Sequence, residues 1–341
     1  MIKEMINKAA QGRDLSREEA RGVFDEIMSG GATDSQIAAF ITALRIKGET
    51  VDEITGAARV MREKALKITP GPFPGKEPLV DTCGTGGSGQ DTFNISTASA
   101  FVAAACGVRV AKHGNRSASS RCGSADVLER LGVGINISAD RVKKCIEEIG
   151  IGFLFAPLYH SAMKYAIGPR KEIGIRTIFN VLGPLSNPAG AGRQVVGVYD
   201  ARLVPIVARV LRNLGCERAL VVHGMDPLDE ISISSGTIVG ELNKGRVRTR
   251  VLAPADFGFK KTSVRNISGG GPEENAGHIL DVLNGKKGPR RDVVIMNAAA
   301  ALVVSCKAGN LRSGVRIAAE SIDTGKAKEK LDCLKQMTGG S

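Results

Sequence analysis

The chain has 341 residues, of which 43% are hydrophobic, 24% charged and only 4% aromatic. That balance excludes a disordered polymer, a collagen and a disulfide miniprotein, and at this length one large domain plus a smaller one is expected. Lys and Arg number 47 against 35 Asp and Glu, and the resulting +12 asks for an anionic partner.

The excess charge is not uniform. Residues 1–70 carry eleven basic and eleven acidic side chains, so all of it lies beyond residue 70. A nucleic-acid binder would more often concentrate its charge among aromatics, whereas the basic residues there are dispersed and Trp is absent, so a small polyanionic substrate fits at least as well. No run reaches the roughly 18 apolar residues of a membrane helix, and residues 1–20 hold no apolar signal core, so no membrane association and a cytoplasmic setting are expected. Seven cysteines without a C-x-x-C pair, and four histidines, speak for reduced thiols and against zinc or a disulfide framework.

Residues 1–67 read as helices. Ser16-Arg17-Glu18-Glu19, Thr33-Asp34-Ser35-Gln36 and Thr50-Val51-Asp52-Glu53 each match the capping box, which satisfies the free N–H groups of a first helical turn. Ala20, Val23, Phe24 and Ile27 follow the first box, and Ile37, Phe40, Ile41 and Leu44 the second, at the i, i+3, i+4, i+7 spacing of one apolar face. Gly30-Gly31 and Gly48 end those helices. Nothing in this unit carries chemistry. Residues 68–78 hold four of the thirteen prolines and suit neither a helix nor a central strand, so they form a stiff connector.

From residue 79 the pattern changes. Short apolar or β-branched runs at 79–83, 108–111, 151–155, 194–198 and 219–223 predict strands. Between them, residues 95–106, the set Val142, Cys145, Ile146 and Ile149, and residues 203–214 predict helices, and helices return from Asp292 onward. Such alternation means an α/β domain with a mostly parallel sheet.

Three segments carry chemical potential. Gly84-Thr85-Gly86-Gly87-Ser88-Gly89 lies between the first strand and an alanine-rich helix, where backbone N–H groups and the helix N-terminus converge on an anion. Gly84, Gly86 and Gly89 formally satisfy the dinucleotide pattern, but its acid about 20 residues on is absent; Arg109 and Lys112 stand there. Taken alone the loop is either a phosphate cradle or a tight turn. Lys112-His113-Gly114-Asn115-Arg116-Ser117-Ala118-Ser119-Ser120 ends the second strand with cations, an amide and hydroxyls suited to phosphate and sugar oxygens, or else forms a solvated loop. Adjacent strand ends of an open α/β sheet build one crevice. Asp229-Glu230 follows the fifth strand and is either a magnesium site shared with substrate phosphates or an exposed acidic pair.

Gly84-Thr85-Gly86-Gly87, Asn94-Ile95-Ser96-Thr97, Lys112-His113-Gly114-Asn115-Arg116, Gly183-Pro184-Leu185-Ser186-Asn187-Pro188 and Leu228-Asp229-Glu230, in this order and spacing, resemble the anthranilate phosphoribosyltransferases over essentially the whole chain. The resemblance implies a homodimer. Each chain would place a small all-helical N-terminal domain, completed by part of residues 158–190, beside a large α/β domain with a mostly parallel central sheet, residues 79–341. It further implies transfer of phosphoribose from phosphoribosyl pyrophosphate (PRPP) to the amine of anthranilate, releasing pyrophosphate, in tryptophan biosynthesis. PRPP and the reacting centre would be held by Gly84, Gly87, Ser88, Thr92, Asn94, Ile95, Ser96, Thr97, Lys112, His113, Gly114, Asn115, Arg116, Ser117, Ala118, Ser119, Ser120 and Ser124. Anthranilate would meet Gly84, His113, Asn115, His160, Arg170 and Pro184, and Mg2+ would bind Ser96, Asp229 and Glu230.

Two positions depart from the family pattern. Ser88 stands where an Asp usually follows the Gly-Thr-Gly-Gly run, and Pro227 where a glycine usually precedes Leu-Asp-Glu. Two rivals share the fold. Pyrimidine nucleoside phosphorylases carry Lys-x-Ser-Gly-Arg where this chain has Lys112-His113-Gly114-Asn115-Arg116. A non-catalytic nucleic-acid-binding relative would use the +12 charge, and would bind DNA with steep salt dependence.

Overall fold

A computed structural model describes residues 1–71, 77–87, 89–117 and 121–339. Ser88, Ala118, Ser119 and Ser120 therefore lie outside the described residues, as does part of the 68–78 connector. The chain opens with α1 (Ile2–Ala10), α2 (Arg17–Met28), α3 (Asp34–Lys47) and α4 (Val51–Lys64). Next come β1 (Val80–Gly84), α5 (Ile95–Ala105), β2 (Val110–Gly114), α6 (Ser124–Arg130), α7 (Ala139–Ile149) and β3 (Ile151–Phe155). Three helices follow, α8 (Ala156–Tyr159), α9 (Lys164–Ile173) and α10 (Ile178–Leu185), before β4 (Arg193–Gly197), α11 (Leu203–Asn213) and β5 (Arg218–Gly224). The remainder is β6 (Thr237–Asn243), β7 (Arg246–Leu252), α12 (Pro254–Phe257), α13 (Pro272–Leu283), α14 (Pro289–Val304), α15 (Leu311–Asp323) and α16 (Lys326–Thr338).

The three capping boxes form as the spacing predicts. The hydroxyls of Ser16, Thr33 and Thr50 accept the amides of Glu19, Gln36 and Glu53, whose side chains accept the cap amides in return. The apolar faces behind them are buried, and Phe24 meets Phe40 edge-on at 6.0 Å and Phe179 of α10 at 5.6 Å. Ala166 of α9 and Ile178, Leu182 and Leu185 of α10 join the same core, so the N-terminal helices pack against a segment more than a hundred residues away in sequence. That core continues without a break into α11 and one face of the sheet, through Val196, Val207 and Val221.

The described residues form one seven-stranded sheet in the order β3-β2-β1-β4-β5-β6-β7. β1 to β5 are parallel, and β6 and β7 add an antiparallel hairpin at one edge. Both faces are covered, which is why the strands read as near-continuous apolar runs. Val195, Leu220 and Val222 pack under α5 and α14, while Val196 and Val221, one residue out of phase, meet the helical side. From β1 the chain winds outward to β2 and β3, then returns to β4 on the other side of β1. Strand order reverses there, and the crevice beyond the carboxyl ends of β1 and β4 is the natural ligand position of such a sheet.

Three elements differ from the sequence expectation. The second strand, expected over 108–111, runs to Gly114, because Lys112 and His113 pair with Phe153 and Leu154 in the parallel ladder and their side chains find partners inside. The β6–β7 hairpin was not expected; its turn places Lys244 and Gly245 at φ 49° and 73°, the two positive values of a type I′ turn. The C-terminal helices begin at Pro272 rather than at Asp292.

Candidate active site

Four strand ends build the site. β1 ends at Gly84, β2 carries Lys112, His113 and Gly114, β4 ends at Gly197 beside Gly84, and β5 ends at Gly224, just before Asp229 and Glu230. Thr85 continues the ladder by donating its amide to the Gly197 carbonyl at 2.9 Å. The turn bearing Asp229 then lies directly over this pair. A Cβ on Gly84 would sit 3.1 Å from Asp229 Oδ2, and one on Gly197 would collide with the Asp229 backbone. Only glycine at 197 lets the acidic turn close on the strand ends.

Ser96 is the meeting point. Its amide donates to Glu230 Oε1 at 3.0 Å, its carbonyl accepts the Thr82 hydroxyl at 3.1 Å, and Lys112 Nζ lies 3.4 Å from its hydroxyl. Lys112 Nζ also donates to the Thr82 carbonyl at 2.6 Å, so this fully buried ammonium is fixed under the helix N-terminus. Burial pushes the Lys112 pKa down, against the pull of Asp81 and Glu230. Glu230 moves the opposite way, since burial and then the neighbouring Asp229 charge both favour its protonated form. Asn94 caps α5 from outside, bonded to the Cys122 carbonyl and to Asn275 at 3.1 and 3.0 Å, while Ile95 and Thr97 begin the helix buried. The Thr97 hydroxyl has no hydrogen-bond partner among the described residues. Thr92, just before, forms an isolated bridge with Ser268.

A second cluster stands one strand over. The His113 and His160 rings lie 5.1 Å apart, both buried, and neither Nε2 has a partner among the described residues. Burial and the neighbouring His160 push His113 down to about 3, against a hydrogen bond to the Gly183 backbone. Burial alone takes His160 down to about 4, against a bond to the Ser186 backbone. Both imidazoles are therefore neutral at pH 7. Arg170 of α9 makes no hydrogen bond to either ring; it is half-buried with its guanidinium 5.1 Å from the Phe179 ring centroid, and it makes no ion pair among the described residues. Pro184 closes the group, its carbonyl held by Gln194 Nε2 at 2.9 Å.

Four other expected residues are bonded within the segment after β2. Arg116 pairs with Asp126 and Glu129 of α6 at 2.9 and 2.6 Å. Asn115 accepts the Arg116 amide at 2.7 Å on its own side chain and the Ser124 hydroxyl at 3.4 Å on its carbonyl. The Ser117 amide donates to Asp126 Oδ2 at 3.1 Å, and a Cβ on Gly114 would collide with Ser124 Oγ.

Residues 76–328 match the model of the glycosyl transferase family a/b domain, and residues 3–65 match its helical bundle domain. An anthranilate phosphoribosyltransferase of Pelotomaculum thermopropionicum is 56% identical, over 99% of this chain and 97% of that protein. The chain belongs to the anthranilate phosphoribosyltransferase family. The anthranilate phosphoribosyltransferase of Thermus thermophilus superimposes with a TM-score of 0.92 at 42% identity, covering 98% of this chain and 99% of that one. That of Saccharomyces cerevisiae, solved in complex with PRPP and Mg, gives 0.88 at 29% identity, covering 99% and 98%.

Within this anthranilate phosphoribosyltransferase fold, sequence reasoning passed over the residues that hold the site in place. Asp81 is buried in β1, accepting the His113 amide at 3.2 Å and Asn187 Nδ2 at 2.8 Å, so one carboxylate ties β1, β2 and the segment after Pro184 together. Its pKa is pushed up to about 6 by burial, against the Lys112 charge. An aspartate inside a strand was a signal available in the sequence. Gly197 gave none, because its role depends on a turn that meets it only in three dimensions.

Proposed function

We propose that the crevice beyond β1, β2, β4 and β5 is where this chain carries out its reaction. The chain transfers the phosphoribosyl group of PRPP to the amine of anthranilate, giving N-(5-phosphoribosyl)anthranilate and pyrophosphate in tryptophan biosynthesis. One observation carries the site assignment. Ser96, Lys112 and Glu230, far apart in sequence, meet in a single hydrogen-bonded group beside the glycine loop. In this reading Gly84, Gly87, Asn94, Ser96, Thr97 and Lys112 hold PRPP, with the backbone donors of the loop and the N-terminus of α5 taking its phosphates.

Asp229, Glu230 and the Ser96 hydroxyl would hold magnesium. The described residues contain no cluster of three or more His, Cys, Asp or Glu. The remaining ligands would then be substrate phosphates and water, the hard-oxygen set that magnesium prefers. Bound there, the ion shields the charge that pyrophosphate gains on leaving.

The residues of the second cluster bind and orient. Arg170 receives the anthranilate carboxylate with two parallel hydrogen bonds, which turns the ortho amine towards the anomeric carbon. The neutral His113 and His160 offer hydrogen-bonding nitrogens without repelling the oxocarbenium-like ribose. No strong base is needed, because the amine loses its proton after attack. Positioning carries most of the acceleration.

The division into a helical domain, residues 1–67 with part of 158–190, and an α/β domain, residues 79–341, belongs to the same reading. So does a homodimer, supported by Ile46, Tyr165 and Ile167 standing exposed on α3 and α9. Seven free cysteines suit a cytoplasmic setting, and no helix among the described residues is long and apolar enough to cross a membrane. The test is direct: anthranilate fluorescence should fall when PRPP and magnesium are added, and a chelator should stop the fall. Fluorescence that stays constant with both present would refute the proposal.

A further inference from the structure

Arg176 lies in the turn between α9 and α10, on the helical side of the crevice. Its Nε and Nη2 stand 3.2 and 3.6 Å from the place a Cβ would occupy on Gly87, a residue at φ 71°. The guanidinium carbon lies 4.8 Å from the Tyr199 ring centroid, and the Tyr199 amide donates to the Thr85 hydroxyl at 3.0 Å. The cation is thus fixed against the glycine loop by stacking, and by a platform tied to that loop. Its side chain is exposed and makes no hydrogen bond or ion pair among the described residues, so its five N–H donors are unspent. Glycine at 87 serves two ends, the left-handed backbone and the room for the guanidinium.

We propose that Arg176 is a ligand for the pyrophosphate of PRPP, gripping the leaving group against the glycine loop from the helical side of the crevice. The inference rests on the reading of this crevice as the PRPP site. Pyrophosphate is preferred over the 5-phosphate because the first residue of the same loop, Gly84, faces Asp229, whose Oδ2 would stand 3.1 Å from a Cβ at that position, and a metal held by Asp229 and Glu230 would sit beside the pyrophosphate. During transfer the bond between the anomeric carbon and the pyrophosphate oxygen breaks, with its electron pair leaving on that oxygen. The amine nitrogen forms the new bond to carbon and gives its proton to solvent. A planar guanidinium matches the two oxygens on which that negative charge gathers. The segment that carries Arg170 to one substrate would thereby carry Arg176 to the other.

The experiment titrates the full-length protein and its Arg176→Ala and Arg176→Lys variants by calorimetry, with inorganic pyrophosphate plus magnesium and separately with ribose 5-phosphate. Arg176→Ala should weaken pyrophosphate binding by roughly ten- to a hundredfold, the worth of a charge-assisted hydrogen-bonded contact. Ribose 5-phosphate affinity, the anthranilate KM and the thermal midpoint should stay as in the wild type, and Arg176→Lys should recover part of the loss. Wild-type pyrophosphate affinity in Arg176→Ala overturns the inference, as does a loss confined to ribose 5-phosphate. If the wild-type protein itself binds neither pyrophosphate nor ribose 5-phosphate, the reading of the crevice falls and this inference with it; pyrophosphate binding that ignores Arg176→Ala sinks the inference alone.

Discussion

Replacing Arg170 by alanine tests the anthranilate pocket where its physics is plainest. The guanidinium is half-buried over the Phe179 ring at 5.1 Å, and that ring is itself braced by Phe24 at 5.6 Å, so the cation sits on a rigid floor. Burial pushes its pKa down, and no carboxylate among the described residues answers it. In the proposed reading its counterion is the anthranilate carboxylate. Truncation would leave that carboxylate desolvated without its bidentate partner, which costs about 2–4 kcal/mol of transition-state binding. In kcat/KM that is a fall of roughly 30- to 1,000-fold. Stability should change little, because a cation–π contact worth about 0.5–1 kcal/mol is lost while a desolvated charge is relieved. Steady-state fluorescence assays with each substrate varied in turn would show the anthranilate KM rising and the PRPP KM holding. Arg170→Lys should recover part of the loss, since it keeps the charge without the fork. Aniline, which lacks the carboxylate, should be turned over equally slowly by wild type and variant. An unchanged anthranilate KM, an equal rise in both KM values, or a matching loss with aniline would refute the assignment.

The double variant Asp229→Asn with Glu230→Gln should stay folded and lose nearly all turnover; near-normal activity at limiting magnesium would show that these acids do not hold the metal. Gly197→Ala places a methyl group against the Asp229 backbone. It should lower stability by roughly 1–3 kcal/mol and raise the magnesium requirement, so an unaltered denaturant midpoint together with an unaltered magnesium titration would reject the close-approach argument. The histidine pair predicts an acid limb. Both folded values lie well below the unfolded value near 6.5, at about 3 and about 4, so below pH 6.5 the unfolded chain takes up protons that the folded one refuses. Stability should then fall by roughly 1.4 kcal/mol per pH unit for each histidine, down to about pH 4 for His160 and about pH 3 for His113. His160→Asn should remove its share of that slope, and superimposable stability–pH curves would refute the burial account.

Most of the local structure was legible because its causes act within one turn or one pleat. The capping boxes at Ser16, Thr33 and Thr50 announced α2, α3 and α4 from four residues each, since a cap is satisfied by its own first turn. The edge hairpin escaped notice because its signal, a lysine accepting a left-handed conformation before Gly245, is weaker than an Asn-Gly turn. Similar limits apply to Lys112, whose polar side chain reads as the start of a loop although the strand continues through it.

The two kinds of layer, the glycine-rich loop, the acidic pair and the residue types proposed for both substrate pockets were legible along the chain, because propensity, periodicity and functional chemistry are properties of short segments. Tertiary structure alone decided which of these segments meet. Strand order set β4 beside β1, so that Gly197 makes room for Asp229. It brought Ser96 to Glu230 and Arg176 to Gly87, and it turned Arg116 onto the acids of α6. Such contacts carry no spacing rule. They follow from how a parallel sheet buries both faces under helices drawn from distant parts of the chain, and that packing is a property of the whole molecule.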